Sequence, residues 1–168
     1  MDNAQPTPPR APIADDIGDG DLIARYLAGP ALVRDTISGM TADQIHARPI
    51  PDKMTTHEVV THIVDSEAGL GGRVKRALAG EEPPVTSGGH PEPTSDPTRD
   101  LDVELEQLVS MREQMAAELR HASPSAWDNV ALRRGDRVMT ARQVLVLMTR
   151  HLENHVAAIE EKRAALGL

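Results

Sequence analysis

Apolar residues recur every three or four positions along four stretches of the chain, which is the spacing of one buried face of an α-helix. The predicted helices cover about residues 21–40, 55–78, 98–121 and 140–165. Gly29-Pro30 interrupts the first stretch, so we expect a kink or a short break there, with Pro30 opening its second part. We see neither strand-like alternation nor an internal repeat. The pattern therefore predicts an all-α four-helix bundle.

Proline-rich segments lie outside these helices. Residues 1–18 contain four prolines and few apolar residues, and we predict a flexible N-terminal segment there, with the helical domain over residues 19–168. A second such segment, residues 81–97, contains five prolines and predicts a long loop between the second and third helices. The segments "SPSAWDN" and "RRGDR" form the predicted connection between the third and fourth helices.

Two helix starts have a threonine that can cap the free backbone amides. Thr55 or Thr56 opens the second helix, where Glu58 adds negative charge in the first turn, and Thr140 opens the fourth. The second helix also contains Gly69, Gly71 and Gly72, and each glycine costs about 1 kcal/mol relative to alanine inside a helix. We expect close packing or room for a ligand at these glycines.

Composition narrows the choice of partner and compartment. The net charge of −8 and the isoelectric point of about 5.3 argue against nucleic acid or an anionic membrane as the main partner. The chain has no cysteine, which excludes disulfides, thiolate ligands and a cysteine nucleophile. No apolar run approaches the ~18 residues of a membrane span, and no signal peptide is visible at the N-terminus. We therefore expect a cytoplasmic protein.

The candidate chemistry lies in "TRHLENHVAAIEEK", residues 149–162. His151 and His155 are four residues apart, so they share one face of the predicted helix. The apolar positions of this helix recur at helical steps, at Val144, Met148 and Ile159. His151 and His155 fall in the same series, so both point inward. A buried polar group without a partner costs about 1–3 kcal/mol, and a metal ion would satisfy both imidazoles. His62 on the second helix lies beside its apolar stripe and is a candidate third ligand. His57 falls about 140° further round the helix, so we expect it not to face the bundle interior.

Other interpretations of the histidines stay open at this point. Two histidines four residues apart can be polar residues that share a face by chance, and we interpret His46, His90 and His121 as solvated. "HLENH" is not the H-E-x-x-H motif of zinc proteases, because Glu153 lies about 200° round the helix from His151. A metallopeptidase is therefore disfavoured.

Two longer segments resemble the DinB-like proteins. The first is "YLAGPALVRDTISGMTADQIHARPIPDKMTTHEVVTHIVDSE" with "RVKRAL", and the second is "LVSMREQMAAELRHASPSAWDNV" with "MTARQVLVLMTRHLENHVAAIEEKRAAL". The resemblance covers about residues 20–166. It implies a four-helix bundle with a long crossover connection, in which His62, His151 and His155 bind a divalent metal, Zn²⁺ or Ni²⁺ being the expected ions. It also implies a homodimer, and a transferase or hydrolase activity in which some relatives use a low-molecular-weight thiol.

The resemblance is incomplete at two places. Met54 stands where the family usually has tryptophan, and the glycines at 69, 71 and 72 are atypical of it. Neither difference touches the predicted ligands, but both limit what relatives imply about the substrate.

Two classes of function fit these features. The first is a metal-dependent enzyme acting on a small molecule, with Glu58, Asp65 and Ser66 near His62 as candidates for proton transfer or ligand orientation. For Glu58 the alternative is a purely electrostatic role at the helix N-terminus, and for Asp65 a solvated surface charge. The second class is a non-catalytic dimeric bundle that binds a ligand or a protein and has a structural metal or none. An open coordination position favours the enzyme, because structural zinc sites normally have four protein ligands.

Overall fold

The computed structural model describes residues 11–86 and 96–168 of the chain. Helices dominate this part of it, and a small sheet lies at one end. In chain order the elements are α1 (Asp19–Leu27), α2 (Gly29–Ile37), α3 (Ala42–His46), α4 (Thr56–Leu78), β1 (Val85–Thr86), α5 (Leu101–His121), a 3-10 helix (Pro124–Asp128), β2 (Val130–Arg134), β3 (Arg137–Thr140) and α6 (Ala141–Ala165). The predicted break at Gly29-Pro30 separates α1 from α2, so these two short helices form the first arm of a four-helix bundle.

The two helices that contain the candidate histidines have well-defined N-termini. The Thr55 hydroxyl accepts a hydrogen bond from the Glu58 amide, and the Glu58 carboxylate accepts one from the Thr55 amide. Thr140 and Gln143 form the same reciprocal pair at the start of α6. Each capping box satisfies backbone amides that the helix itself leaves free. The helix starts predicted from sequence are confirmed.

Helices α4 and α5 lie side by side and run parallel. Glu67 pairs with Arg112, and Lys75, further along α4, pairs with Glu118, further along α5. Helix α6 runs antiparallel to α4, because His62 contacts His151 whereas Gly71 lies nearer Met148. Parallel neighbours cannot be joined by a short turn, and the end of α4 and the start of α5 lie at opposite ends of the bundle. The expected long crossover connection is confirmed.

The three-stranded sheet is an addition that the hydrophobic pattern did not predict. Strand β2 pairs with β1 in parallel and with β3 in antiparallel orientation, in the order β1-β2-β3. Gly135 and Asp136 form the hairpin turn between β2 and β3, and Gly135 has a φ of +55°, a left-handed conformation that glycine adopts readily. The predicted connection "RRGDR" is therefore a hairpin rather than an irregular loop.

Part of the segment predicted to be flexible packs on the bundle. Ile13 is only 3% exposed and belongs to the core, and its carbonyl accepts a hydrogen bond from Arg150. Arg25 donates to the carbonyl of Ala11, and Arg142 to that of Ile17. Arginines of α1 and α6 thus hold residues 11–17 by their backbone, which a count of prolines cannot reveal. Residues 1–10 lie outside the described part of the chain.

A buried polar network crosses the core. The Arg112 guanidinium donates to Glu67 at 2.8 and 3.2 Å and to the carbonyl of Tyr26 at 2.5 Å, while the Tyr26 hydroxyl donates to Glu67. The guanidinium carbon also lies 4.3 Å from the centre of the Tyr26 ring. Burial, with the adjacent Glu67 carboxylate, raises the pKa of the Tyr26 phenol. Three helices, α1, α4 and α5, are therefore joined through one carboxylate.

Gly29 allows the start of α2 to approach this network closely. A Cβ atom at position 29 would overlap Nη1 of Arg112 and come within 2.9 Å of Leu152 Cδ1. We expect Gly29→Ala to lower the free energy of unfolding by about 1–3 kcal/mol through overpacking, measured by urea denaturation.

Gly20→Ala is the matched control, because a Cβ at this helical glycine meets nothing within 4 Å. The control should leave stability unchanged or raise it by up to about 1 kcal/mol. Equal effects of the two substitutions would contradict the packing argument.

Among the helices of residues 11–86 and 96–168, none combines the length and the apolar character that a membrane crossing requires.

Candidate metal centre

Three histidines from two helices converge in the groove between α4 and α6. Nε2 of His151 lies 3.1 Å from Nε2 of His62 and 3.1 Å from Nε2 of His155. One ligand atom from each of the three residues lies within 4.8 Å of the other two, and all three side chains are half-buried. Since four residues on α6 bring His151 and His155 to the same face, the antiparallel pairing with α4 adds His62 to them. The three residues that the sequence predicts as ligands are brought together.

The donor set fits a divalent ion better than it fits three mutually hydrogen-bonded imidazoles. Nε2 of His151 has a single in-plane site, which is either a proton or a lone pair, so it cannot make two good hydrogen bonds to two other ring nitrogens. Two nitrogens that each bind a tetrahedral zinc at 2.0–2.1 Å would be about 3.3 Å apart. The observed separations of 3.1 Å are close to that value.

The environment of His155 keeps its ring in the form that binds metals. Burial, together with charge repulsion from the neighbouring His62 and Lys162, lowers the pKa of His155 to about 4. At neutral pH the imidazole is therefore uncharged, with a lone pair available for coordination.

The face of α4 that carries His62 continues into open space. Ser66 and Gly69 follow His62 along the same face of α4, one and two turns further on. Ser66 is half-buried, and a Cβ atom at Gly69 would meet nothing within 4 Å. Gly71, in contrast, faces the other way and lines a separate cleft of about 230 Å³ beside Met115. The two explanations expected for these glycines were close packing and room for a ligand. The open space at Gly69 fits room for a ligand, and buried Gly71, where a Cβ would lie 3.5 Å from Met115, fits packing.

The chain is similar to known proteins in sequence and in fold. The family model described as the DinB superfamily matches residues 25–159, which is most of the chain. The chain belongs to the DinB superfamily. A solved structure, YfiT from Bacillus subtilis, is described as a probable metal-dependent hydrolase with an unusual four-helix bundle topology. It superposes with a TM-score of 0.79 at 22% sequence identity, covering 95% of this chain and 93% of that one. No curated protein sequence matches the chain.

Two of the three residues predicted to assist catalysis in this DinB protein are held by arginines. Besides capping α4, Glu58 accepts two hydrogen bonds of 3.0 Å from Arg48. Asp65 accepts two hydrogen bonds of 2.9 Å from Arg99. Ser66 lies one turn beyond His62 on the same face of α4, and Glu58 lies one turn before it. The catalytic roles of all three stay predictions.

The remaining histidines lie away from the triad. His57 is buried, at 3% exposure, contrary to the expectation that it points away from the interior. Its Nε2–H donates to the carbonyl of Arg99 at 2.8 Å, so it packs against the start of α5 rather than against α6. His46 stacks on His57 and is exposed, as His121 is. His90 lies outside the described residues.

Sequence reasoning missed one charged residue on the ligand face of α6. Lys162 follows His155 by seven residues, a spacing that returns to the same face of a helix, and it is buried. Lysine in the last turn of a helix usually interacts with the helix dipole in solvent, which is why this position looked unremarkable in the sequence. The spacing from His155 was the signal available.

Proposed function

We propose that this DinB protein is a metal-dependent enzyme that acts on a small molecule, with His62, His151 and His155 as the metal ligands. The observation that carries the proposal is the convergence of three Nε2 atoms within a half-buried groove. A hydrolase is the reaction class that we favour, and the likeness to YfiT supports it. A transferase that uses a small thiol is the alternative reaction class to be tested alongside the hydrolase.

Zinc or nickel is the expected ion. Imidazole nitrogens suit these borderline ions, whereas magnesium and calcium prefer oxygen ligands. When bound, such an ion would act as a Lewis acid toward a substrate oxygen or thiol. Three protein ligands leave a coordination position for that substrate, as in catalytic zinc sites.

Residues around the triad would bind the substrate and hold the metal ligands in position. Ser66 Oγ can donate a hydrogen bond to a substrate that enters beside His62, since the space around Gly69 is open. Glu58 and Asp65 act indirectly, because Arg48 and Arg99 hold their carboxylates. The ion pair of Glu58 with Arg48 and the cap at Thr55 fix the first turn of α4. They thereby fix the position of His62 along the groove.

Metal content is the decisive measurement. Tag-free protein should contain close to one equivalent of zinc or nickel by elemental analysis, and chelation should lower its thermal stability. Adding back zinc at about 100 times its dissociation constant should raise the free energy of unfolding by about 2.7 kcal/mol. Magnesium is the control and should give no shift. Protein that neither contains nor gains stability from zinc or nickel would refute the proposal.

The reaction class is tested on the zinc- and nickel-loaded protein. One panel contains activated esters and amides, and a second contains small thiols with electrophiles. Turnover in the first panel alone supports the hydrolase, and thiol conjugates in the second support the transferase. Metal binding without turnover in either panel favours the ligand-binding bundle instead.

A further inference from the structure

Lys162 extends the row of metal-site residues along α6. It follows His155 by seven residues, so the two side chains leave the helix within about 20° of each other, and their Cα atoms are about 10 Å apart along the axis. The ammonium points back toward the histidines rather than toward the helix end, because Nζ donates to the carbonyl of Ala158 at 3.0 Å. The charge therefore lies on the triad side of its own Cα.

This ammonium is buried without a neutralising partner. Lys162 is 3% exposed, although lysine is almost never fully buried unless it is paired. Within the part of the chain that the structure describes, no ion pair joins it to an acidic residue. The carbonyl of Ala158 occupies one of its three N–H donors and leaves two for another acceptor.

The other lysines of the chain are placed differently. The chain has three lysines. Lys75 pairs with Glu118 at 3.0 Å on the far side of α4, and Lys53 is exposed on the loop that precedes α4. Burial lowers the pKa of Lys162, and repulsion from Lys53 acts in the same direction, whereas Glu161 opposes it. Two positive charges therefore act on the same end of the groove, and a divalent ion on three neutral histidines would add two more.

We propose that Lys162 is a specificity-determining residue that binds the anionic group of a small organic substrate whose reacting end lies at the histidine triad. The inference rests on the proposed function, since it assigns the substrate class of that site. A negatively charged group placed between the triad and Lys162 would neutralise the buried ammonium and accept its two remaining N–H donors. Lysine acts here as a point charge, so a carboxylate and a phosphate are both suitable.

The test compares the affinities of simple carboxylates of increasing chain length for the full chain loaded with zinc. Acetate, malonate, succinate and glutarate are titrated by calorimetry into wild type, Lys162→Met and Lys162→Arg. We expect wild type to bind one of the dicarboxylates at least about tenfold more tightly than acetate. Lys162→Met should lose this preference, Lys162→Arg should keep most of it, and Lys75→Met should behave as wild type. The preferred chain length would report the distance from the metal to Nζ.

Two further readouts separate a substrate role from a structural one. Zinc stoichiometry should be the same in all variants, and metal-free Lys162→Met should unfold at the same temperature as wild type or about 2–4 °C higher, because it removes an unpaired buried charge. Normal zinc binding with no dicarboxylate preference, or a preference that Lys162→Met retains, would overturn this inference and leave the proposed function standing. A lower unfolding temperature of Lys162→Met with unchanged anion affinity would assign Lys162 a structural role instead. Absence of zinc from wild type would overturn both.

Discussion

Replacing Arg112 with methionine should lower the free energy of unfolding by about 3–5 kcal/mol, the largest loss of stability that we expect from a single substitution in this protein. Arg112 is 1% exposed and makes three hydrogen bonds, two to Glu67 and one to the carbonyl of Tyr26. Methionine fills much of the same volume but leaves the buried Glu67 carboxylate with the Tyr26 hydroxyl alone. The total stability of a domain is typically about 5–15 kcal/mol, so the variant would be marginal, and urea denaturation at 10–15 °C is the suitable measurement.

A second variant shows whether the loss comes from the uncompensated charge. Glu67→Met combined with Arg112→Met removes both charges, and we expect it to recover most of the stability, because well-packed apolar residues often replace a buried ion pair without loss. The Tyr26 hydroxyl then has no acceptor in this network, so adding Tyr26→Phe should recover about 1–3 kcal/mol more. If Arg112→Met alone stays within about 1 kcal/mol of wild type, the network does not contribute to stability as its burial indicates.

The helices and the inward direction of the two α6 histidines were predictable because both depend on local rules. Capping threonines at 55 and 140, the Gly29-Pro30 break and a helical repeat of apolar residues each act within a few positions of the chain. The inward direction of His151 and His155 followed from the same repeat. Bringing His62 to them needed only the pairing of α4 with α6, which the resemblance to DinB-like proteins supplied.

The features that were missed depend on contacts between distant segments. Arg112 and Glu67 are charged residues that sequence rules assign to solvent, and their burial follows from packing α1, α4 and α5 together. The sheet depends on β1 pairing with β2, which lies more than forty residues further along the chain. Its hairpin did have a local signal, the Gly135-Asp136 pair, but the three arginines in the two strands obscured their alternation. Lys162 was missed although it continues the inward face of α6, because a lysine in the last turn of a helix usually lies in solvent.

Replacing His151 with alanine should lower the affinity for zinc by more than about 100-fold. His151 is the central member of the triad, since its Nε2 lies 3.1 Å from that of each of the other two. Losing a ligand should exceed the 10–100-fold effect typical of residues that only orient a ligand. His62→Ala and His155→Ala should weaken binding in the same range. Competition against a chromophoric chelator at pH 7.5 measures the change, and at that pH His155 is neutral because its pKa lies near 4.

Two other histidines provide the controls for this prediction. His121→Ala changes an exposed residue outside the triad and should leave both zinc affinity and stability unchanged. His57→Gln alters a buried residue that donates to the carbonyl of Arg99, so it should lower stability by about 1 kcal/mol or more without changing zinc affinity. This pair separates a loss of metal from a general weakening of the fold. Zinc affinity that falls equally in His57→Gln and His151→Ala would show that fold stability, rather than coordination by the triad, controls metal binding.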